Sequence, residues 1–93
     1  MKKIIHFEAQ LPLTIFKEGK TFVAYSPAID LATSGKDFDE VNKRFGEILK
    51  IFIEELIKKG TLEQVLEENG WTKTNKQWSP PTFIAHKNIP VKV

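Results

Sequence analysis

The sequence predicts an α+β domain: an antiparallel sheet of three to four strands packed by one long helix, then a short helix and an extended C-terminal tail. Three observations predict it. Apolar residues alternate with a period of two between residues 4 and 33, the mark of strands. A capping box at Asp37 opens a run whose apolar residues recur at helical spacing as far as Leu56. Beyond Ser79 the chain carries prolines and large apolar side chains without any helical period. A length of 93 residues fits one domain, with residues 1–78 as the α+β unit and 79–93 as the tail.

The strands come first. Ile5, Phe7 and Ala9 alternate with Ile4, His6 and Glu8. Leu11, Leu13 and Ile15 alternate with Pro12, Thr14 and Phe16, which puts apolar residues on both faces. Pro12 has no N–H for a ladder, so an edge position or a bulge is expected near residues 9–12. Lys17-Glu18-Gly19-Lys20 reads as a turn. Thr21–Ser26 reads as the next strand, ended by Pro27, and Ile29, Leu31 and Thr33 as a third, closed by Ser34-Gly35. Tight connections between them imply an antiparallel meander.

The helices follow. In Asp37-Phe38-Asp39-Glu40, the Asp37 side chain can take a free N–H of the first turn while Glu40 reaches back. Phe38, Val41, Phe45, Ile48, Leu49, Phe52 and Leu56 then share one face. Asp39/Lys43, Glu40/Arg44, Glu54/Lys58 and Glu55/Lys59 stand four residues apart on the outside. Gly46 in mid-helix suggests close approach of another element, such as the sheet. Gly60 ends the helix, Thr61-Leu62-Glu63-Gln64 forms a second capping box, and Asn69-Gly70 ends the short helix it opens. Residues 71–79 fit one more strand or a small hairpin turning at Asn75-Lys76. Ile51 and Ile57 lie off the apolar face, to be covered by the short helix and tail or by a second subunit.

No constellation for catalysis emerges. The absence of cysteine excludes a thiol nucleophile, a thiolate zinc site and a disulfide scaffold. His6 and His86 stand near opposite ends, without a partner to make either a general base. Asp30, Asp37 and Asp39 could in principle hold Mg²⁺, but Asp37 is spoken for as a cap and Asp39 suits a first helical turn. The five glycines are scattered, so no phosphate-binding loop is present, and no metal or cofactor is expected. Glu8 and Gln10 cut the first apolar run short of a signal-peptide core, and the long helix carries too many charges to span a membrane. A cytoplasmic protein is expected.

The net charge of +2 arises from 14 basic and 12 acidic residues, too even a balance to imply nucleic acid by itself. After Gly70, however, the chain holds Lys73, Lys76, Lys87 and Lys92 and no acid. This segment is either a solubilising tail or, with Trp71 and Trp78 as stacking groups, a contact for RNA or another nucleic acid. Its large apolar residues, Phe83, Ile84, Ile89, Val91 and Val93, argue against disorder and for packing on its own domain or on a neighbour.

Residues 11–71 resemble the HicB-like antitoxins. The resemblance rests on Leu11-Pro12-Leu13-Thr14-Ile15, Lys17-Glu18-Gly19, Phe22-Val23-Ala24-Tyr25-Ser26-Pro27-Ala28 and Ser34-Gly35-Lys36-Asp37-Phe38-Asp39-Glu40-Val41. It extends through Gly60-Thr61-Leu62-Glu63-Gln64-Val65-Leu66-Glu67-Glu68-Asn69-Gly70-Trp71. It implies a partial ribonuclease-H-like fold without the acidic catalytic set, with a further strand after the long helix. It also implies a protein that binds and blocks a small HicA-type RNase toxin. Many members add a C-terminal DNA-binding domain. Residues 71–93, with Pro80, Pro81 and Pro90, show no helix pattern for one, so specific DNA binding is not expected. The expected function is therefore non-catalytic protein binding by a homo-oligomer, a dimer or larger. Its candidate contact residues are Ile51, Ile57, Phe83, Ile84, Ile89 and Val91.

Overall fold

A computed structural model describes residues 7–93. The elements run β1 (Thr14–Glu18), β2 (Thr21–Ser26), β3 (Leu31–Gly35), α1 (Phe38–Lys59), α2 (Leu62–Glu68), β4 (Thr72–Thr74) and β5 (Gln77–Ser79). The fold is α+β. β1, β2 and β3 form an antiparallel meander in that order, and β4 and β5 pair in a separate two-stranded sheet. The strand expected after the long helix thus joins its own hairpin rather than the main sheet. Of the strand expected over residues 4–9, residues 4–6 and with them His6 lie outside the described residues. Residues 7–13 form no regular element.

Register sorts the side chains. Ile15 opposes Ala24, and Lys17 opposes Phe22. Ala24 in turn opposes Thr33, and Phe22 opposes Gly35. These residues share the face that packs on α1, where Ala24 and Gly35 are buried. Thr14–Tyr25 and Phe16–Val23 point the other way. β1 continues through Lys17 and Glu18, so the first turn narrows to Gly19-Lys20. β3 begins two residues later than the pattern from Ile29 suggests. Ala28 and Ile29 are buried in the bend before it, with Asp30 at φ +53°, a conformation that aspartate tolerates better than most residues.

The expected start of α1 is met at Asp37, whose side chain accepts from the Glu40 N–H at 2.8 Å. Glu40 reaches back one residue further than a standard box, accepting from the Lys36 N–H at 3.3 Å. Of the four i,i+4 charge pairs, Glu40–Arg44 closes, at 3.2 Å, and Arg44 also donates to the Ser34 carbonyl at 2.7 Å, tying the helix to β3. The second capping box does not form, because Thr61 makes no side-chain cap bond.

Both helices stop in the same way. Gly60 takes φ +71°, its N–H bonds the Ile57 carbonyl at 3.1 Å, and the Thr61 N–H bonds Leu56 at 2.9 Å. Gly70 takes φ +86°, its N–H bonds Glu67 at 3.1 Å, and the Trp71 N–H bonds Leu66 at 3.0 Å. Each is a Schellman end, in which a left-handed residue satisfies the last carbonyls. The second one delivers Trp71 into the core beside Leu66.

Two buried clusters make that core. One holds Ala28, Ile29, Leu62, Leu66 and Trp71. The other holds Ala24, Val41 and Phe45, and half-buried Leu11, Leu31 and Leu49 pack against both. Phe38 departs from the expected helical stripe: at 55 % exposed, it precedes the point where α1 meets the sheet. Gly46 does not mark a close approach, for a Cβ there would meet nothing within 4 Å. No described helix is long and apolar enough to cross a membrane.

Candidate interaction surfaces

Three apolar surfaces are left uncovered by the described residues. The first is the side of the main sheet turned away from the helices. Phe16, 43 % exposed, opposes Val23 there, beside the Thr14–Tyr25 pair. Ala32 and Ser34 of β3 complete this face. Among the described residues it carries Glu18, by register, and Asp30, which accepts a hydrogen bond from the Tyr25 hydroxyl at 3.0 Å. That hydrogen bond, with smaller contributions from desolvation and the Asp30 charge, raises the Tyr25 pKa above its ordinary 10.0.

The second is a groove of about 1110 Å³ on the helix side. Gly46, Leu49, Ile53 and Ile57 of α1 form one wall, residues 7–11 and Trp71 the floor and far wall, and Lys76–Trp78 the rim. No residue of β1, β2 or β3 lines it. Trp71 is buried, and its indole N–H donates to the Ala28 carbonyl at 2.7 Å across 43 residues of chain. It is therefore a core residue, not an available stacking group. Trp78 is half-buried, with the Lys73 ammonium 5.6 Å from its ring centroid.

The third is the tail. Residues 82–93 are all exposed, with Ile84 at 90 %, Ile89 at 70 % and Val91 at 84 %. The tail does not fold onto its own domain, one of the two outcomes expected for it. Phe83, 42 % exposed, stands edge-on to His86, with centroids 6.2 Å apart. Of the two isoleucines expected off the stripe of α1, Ile51 is exposed at 61 %. Ile57 is instead half-buried against the Leu62–Leu66–Trp71 cluster, because α2 folds back beneath it. The six candidate contact residues thus divide: Phe83, Ile84, Ile89 and Val91 lie on the tail, Ile57 lines the groove, and Ile51 stands apart.

The carboxylates do not assemble a metal site. Asp30 is engaged by Tyr25 and Asp37 by the helix N-terminus. Among the described residues, no three of His, Cys, Asp and Glu gather as a metal set. Two surfaces escaped the sequence reading. Phe16 was visible as an apolar residue on the second face of its strand. The groove had no local signal, since its walls come from segments up to 71 residues apart. Comparison with protein-family models, with curated proteins and with solved structures found no match.

Proposed function

We propose that this chain is a non-catalytic binding module of the HicB-like antitoxin kind, and that it blocks a HicA-type RNase with the open face of its sheet. The observation that carries this reading is the uncovered Phe16–Val23–Tyr25 patch flanked by Glu18 and Asp30. A half-exposed aromatic beside other apolar side chains is a usual anchor of a protein interface. An enzyme that cleaves RNA must present cations to phosphate. A surface carrying two carboxylates complements such a face and repels RNA itself. The resemblance of residues 11–71 to HicB-like antitoxins supports the same partner class.

The test is to titrate the chain into the HicA-type RNase of the same genome and follow RNA cleavage. Cleavage should stop at about one equivalent. Phe16→Asp, at an exposed position, should leave the circular dichroism unchanged and weaken inhibition at least tenfold. The chain alone should leave RNA and DNA intact. Absence of both complex and inhibition at high micromolar concentration would overturn the reading.

A further inference from the structure

The tail and the groove are two unpartnered apolar surfaces of one molecule, and the chain's path keeps them apart. The groove lining ends at Trp78, and Ser79-Pro80-Pro81 follows at once. Proline fixes its own φ and holds the preceding residue extended, so Ser79 and Pro80 cannot make the reversal that would return the tail to its own groove. Pro81 then stands beside Gly70, at 3.8 Å from the position of a Cβ there, and residues 82–93 beyond it are exposed. The result is an elongated molecule of 56 × 28 × 21 Å. Its radius of gyration is 15.7 Å, against about 12 Å for a compact chain of this length.

We propose that residues 83–93 of one copy lie in the groove of a second copy, and that the exchange is reciprocal. Dimensions fit. From Gly46 to Ile57 the groove follows α1 for about 17 Å, which roughly five extended residues cover. The tail has that reach with residues to spare for the crossing. A cavity of about 1110 Å³ suits a peptide segment better than a small molecule. Five residues such as 89–93 carry three of the large apolar side chains, and covering about 100 Å² on each, and as much groove wall, in both directions gives roughly 1,200 Å², the lower end of a stable interface. Charge does not choose the occupant: Lys87 and Lys92 are the charged side chains of the segment, and the groove walls carry Glu8 and Glu54 balanced by Lys50 and Lys76. The contact lies on the helix side, so it is independent of the open sheet face and of any partner bound there.

Light scattering on the full chain at about 100 μM should report a dimer. Two variants test the two halves. Ile84→Asp with Val91→Asp alters side chains that touch nothing in the monomer. Gly46→Leu fills the groove from a position where an added Cβ is unobstructed, and it favours the helix. Each should stay folded, by circular dichroism and melting temperature, and dimerise at least tenfold more weakly. A photo-crosslinker on Ile84→Cys, in a chain with no other cysteine, should then map to residues 46–57 or 76–78. In a mixture of isotope-labelled and unlabelled chains, those crosslinks should join unlike copies. A monomeric full chain, a dimer indifferent to both variants, or crosslinks confined to one chain would overturn the proposal. Those results would leave the groove to the chain's own tail or to its residues 1–6.

Discussion

Gly35 and Gly46 lie eleven residues apart, and the same change, to alanine, should move stability in opposite directions. Gly35 ends β3 beneath the first turn of α1. A Cβ built there would stand 3.0 Å from the Val41 nitrogen, 3.1 Å from its Cα and 3.2 Å from its Cβ. Two of those atoms are backbone of a helix held by the Asp37 cap, and Val41 itself is fully buried. The neighbour can yield only by shifting α1 against the sheet. Overpacking of this kind costs about 1–3 kcal/mol. Loss of glycine freedom in the unfolded chain offsets about 0.4–1 kcal/mol of that. Gly35→Ala should therefore destabilise by about 1.3 kcal/mol, the difference of the mid-range values. At Gly46 the same methyl meets nothing within 4 Å, so only helix propensity acts, and Gly46→Ala should stabilise by about 0.5–1 kcal/mol. Urea unfolding at low micromolar concentration checks both. With a slope near 1 kcal/mol per molar, the midpoint should fall by about 1.3 M in the first variant and rise by about 0.5–1 M in the second. Midpoints that move in the same direction would refute the placement of α1 on β3 or the openness of the helix at Gly46.

Asp37→Ala should cost about 1 kcal/mol by loss of the helix cap, whereas Thr61→Ala, which removes no cap bond, should shift the urea midpoint hardly at all. The sole tyrosine, Tyr25, should titrate by ultraviolet absorbance above 10.0, and Asp30→Ala should lower its midpoint. Because the folded pKa is raised, the stability this group contributes is fully present below the unfolded value and is lost as pH rises from about 10 through the folded one. Ser26 is fully buried, and its hydroxyl has no partner among the described residues. Ser26→Ala should accordingly leave the melting temperature unchanged or raise it, by up to about 1–3 kcal/mol in stability.

What the sequence discloses here follows the range of the interaction. Asp37, Gly60 and Gly70 act on backbone groups three to five residues away, so the limits of α1 and α2 are legible from short motifs. The turn at Asn75-Lys76 is legible for the same reason, both residues taking positive φ between β4 and β5. Failures begin where burial depends on a distant segment. Phe38 has the spacing of a core residue but precedes the contact with the sheet, whereas Ile57, off the stripe, packs on the Leu62–Leu66–Trp71 cluster under the short helix, one of the covers expected for it. The pairing of β4 depends on where Trp71 is anchored. That anchor is a hydrogen bond to the Ala28 carbonyl, 43 residues earlier, which no local pattern encodes. At the candidate surfaces, the alternation in β1 foretold an apolar outer face; the narrower turn at Gly19-Lys20 sets Phe16 opposite Val23, and Asp30 meets Tyr25 across five residues through its positive-φ bend.

Both exposed surfaces follow from one property of the architecture. A three-stranded sheet with helices on a single side has one face left open by the described residues. In β1 and β2 that face would ordinarily alternate to polar residues. Phe16, Val23 and Tyr25 break the alternation, and an exposed aromatic in such a patch is costly for solubility unless something covers it. The helix side has the complementary defect. α1 extends 22 residues, longer than the sheet it packs against. Its last turns are packed by α2 instead, and the groove lies between α1 and the β4–β5 hairpin. A second chain seated in that groove and a partner seated on the sheet would lie on opposite sides of the β1–β3 layer. Neither would exclude the other, so a dimer joined through its tails can present two binding faces outward.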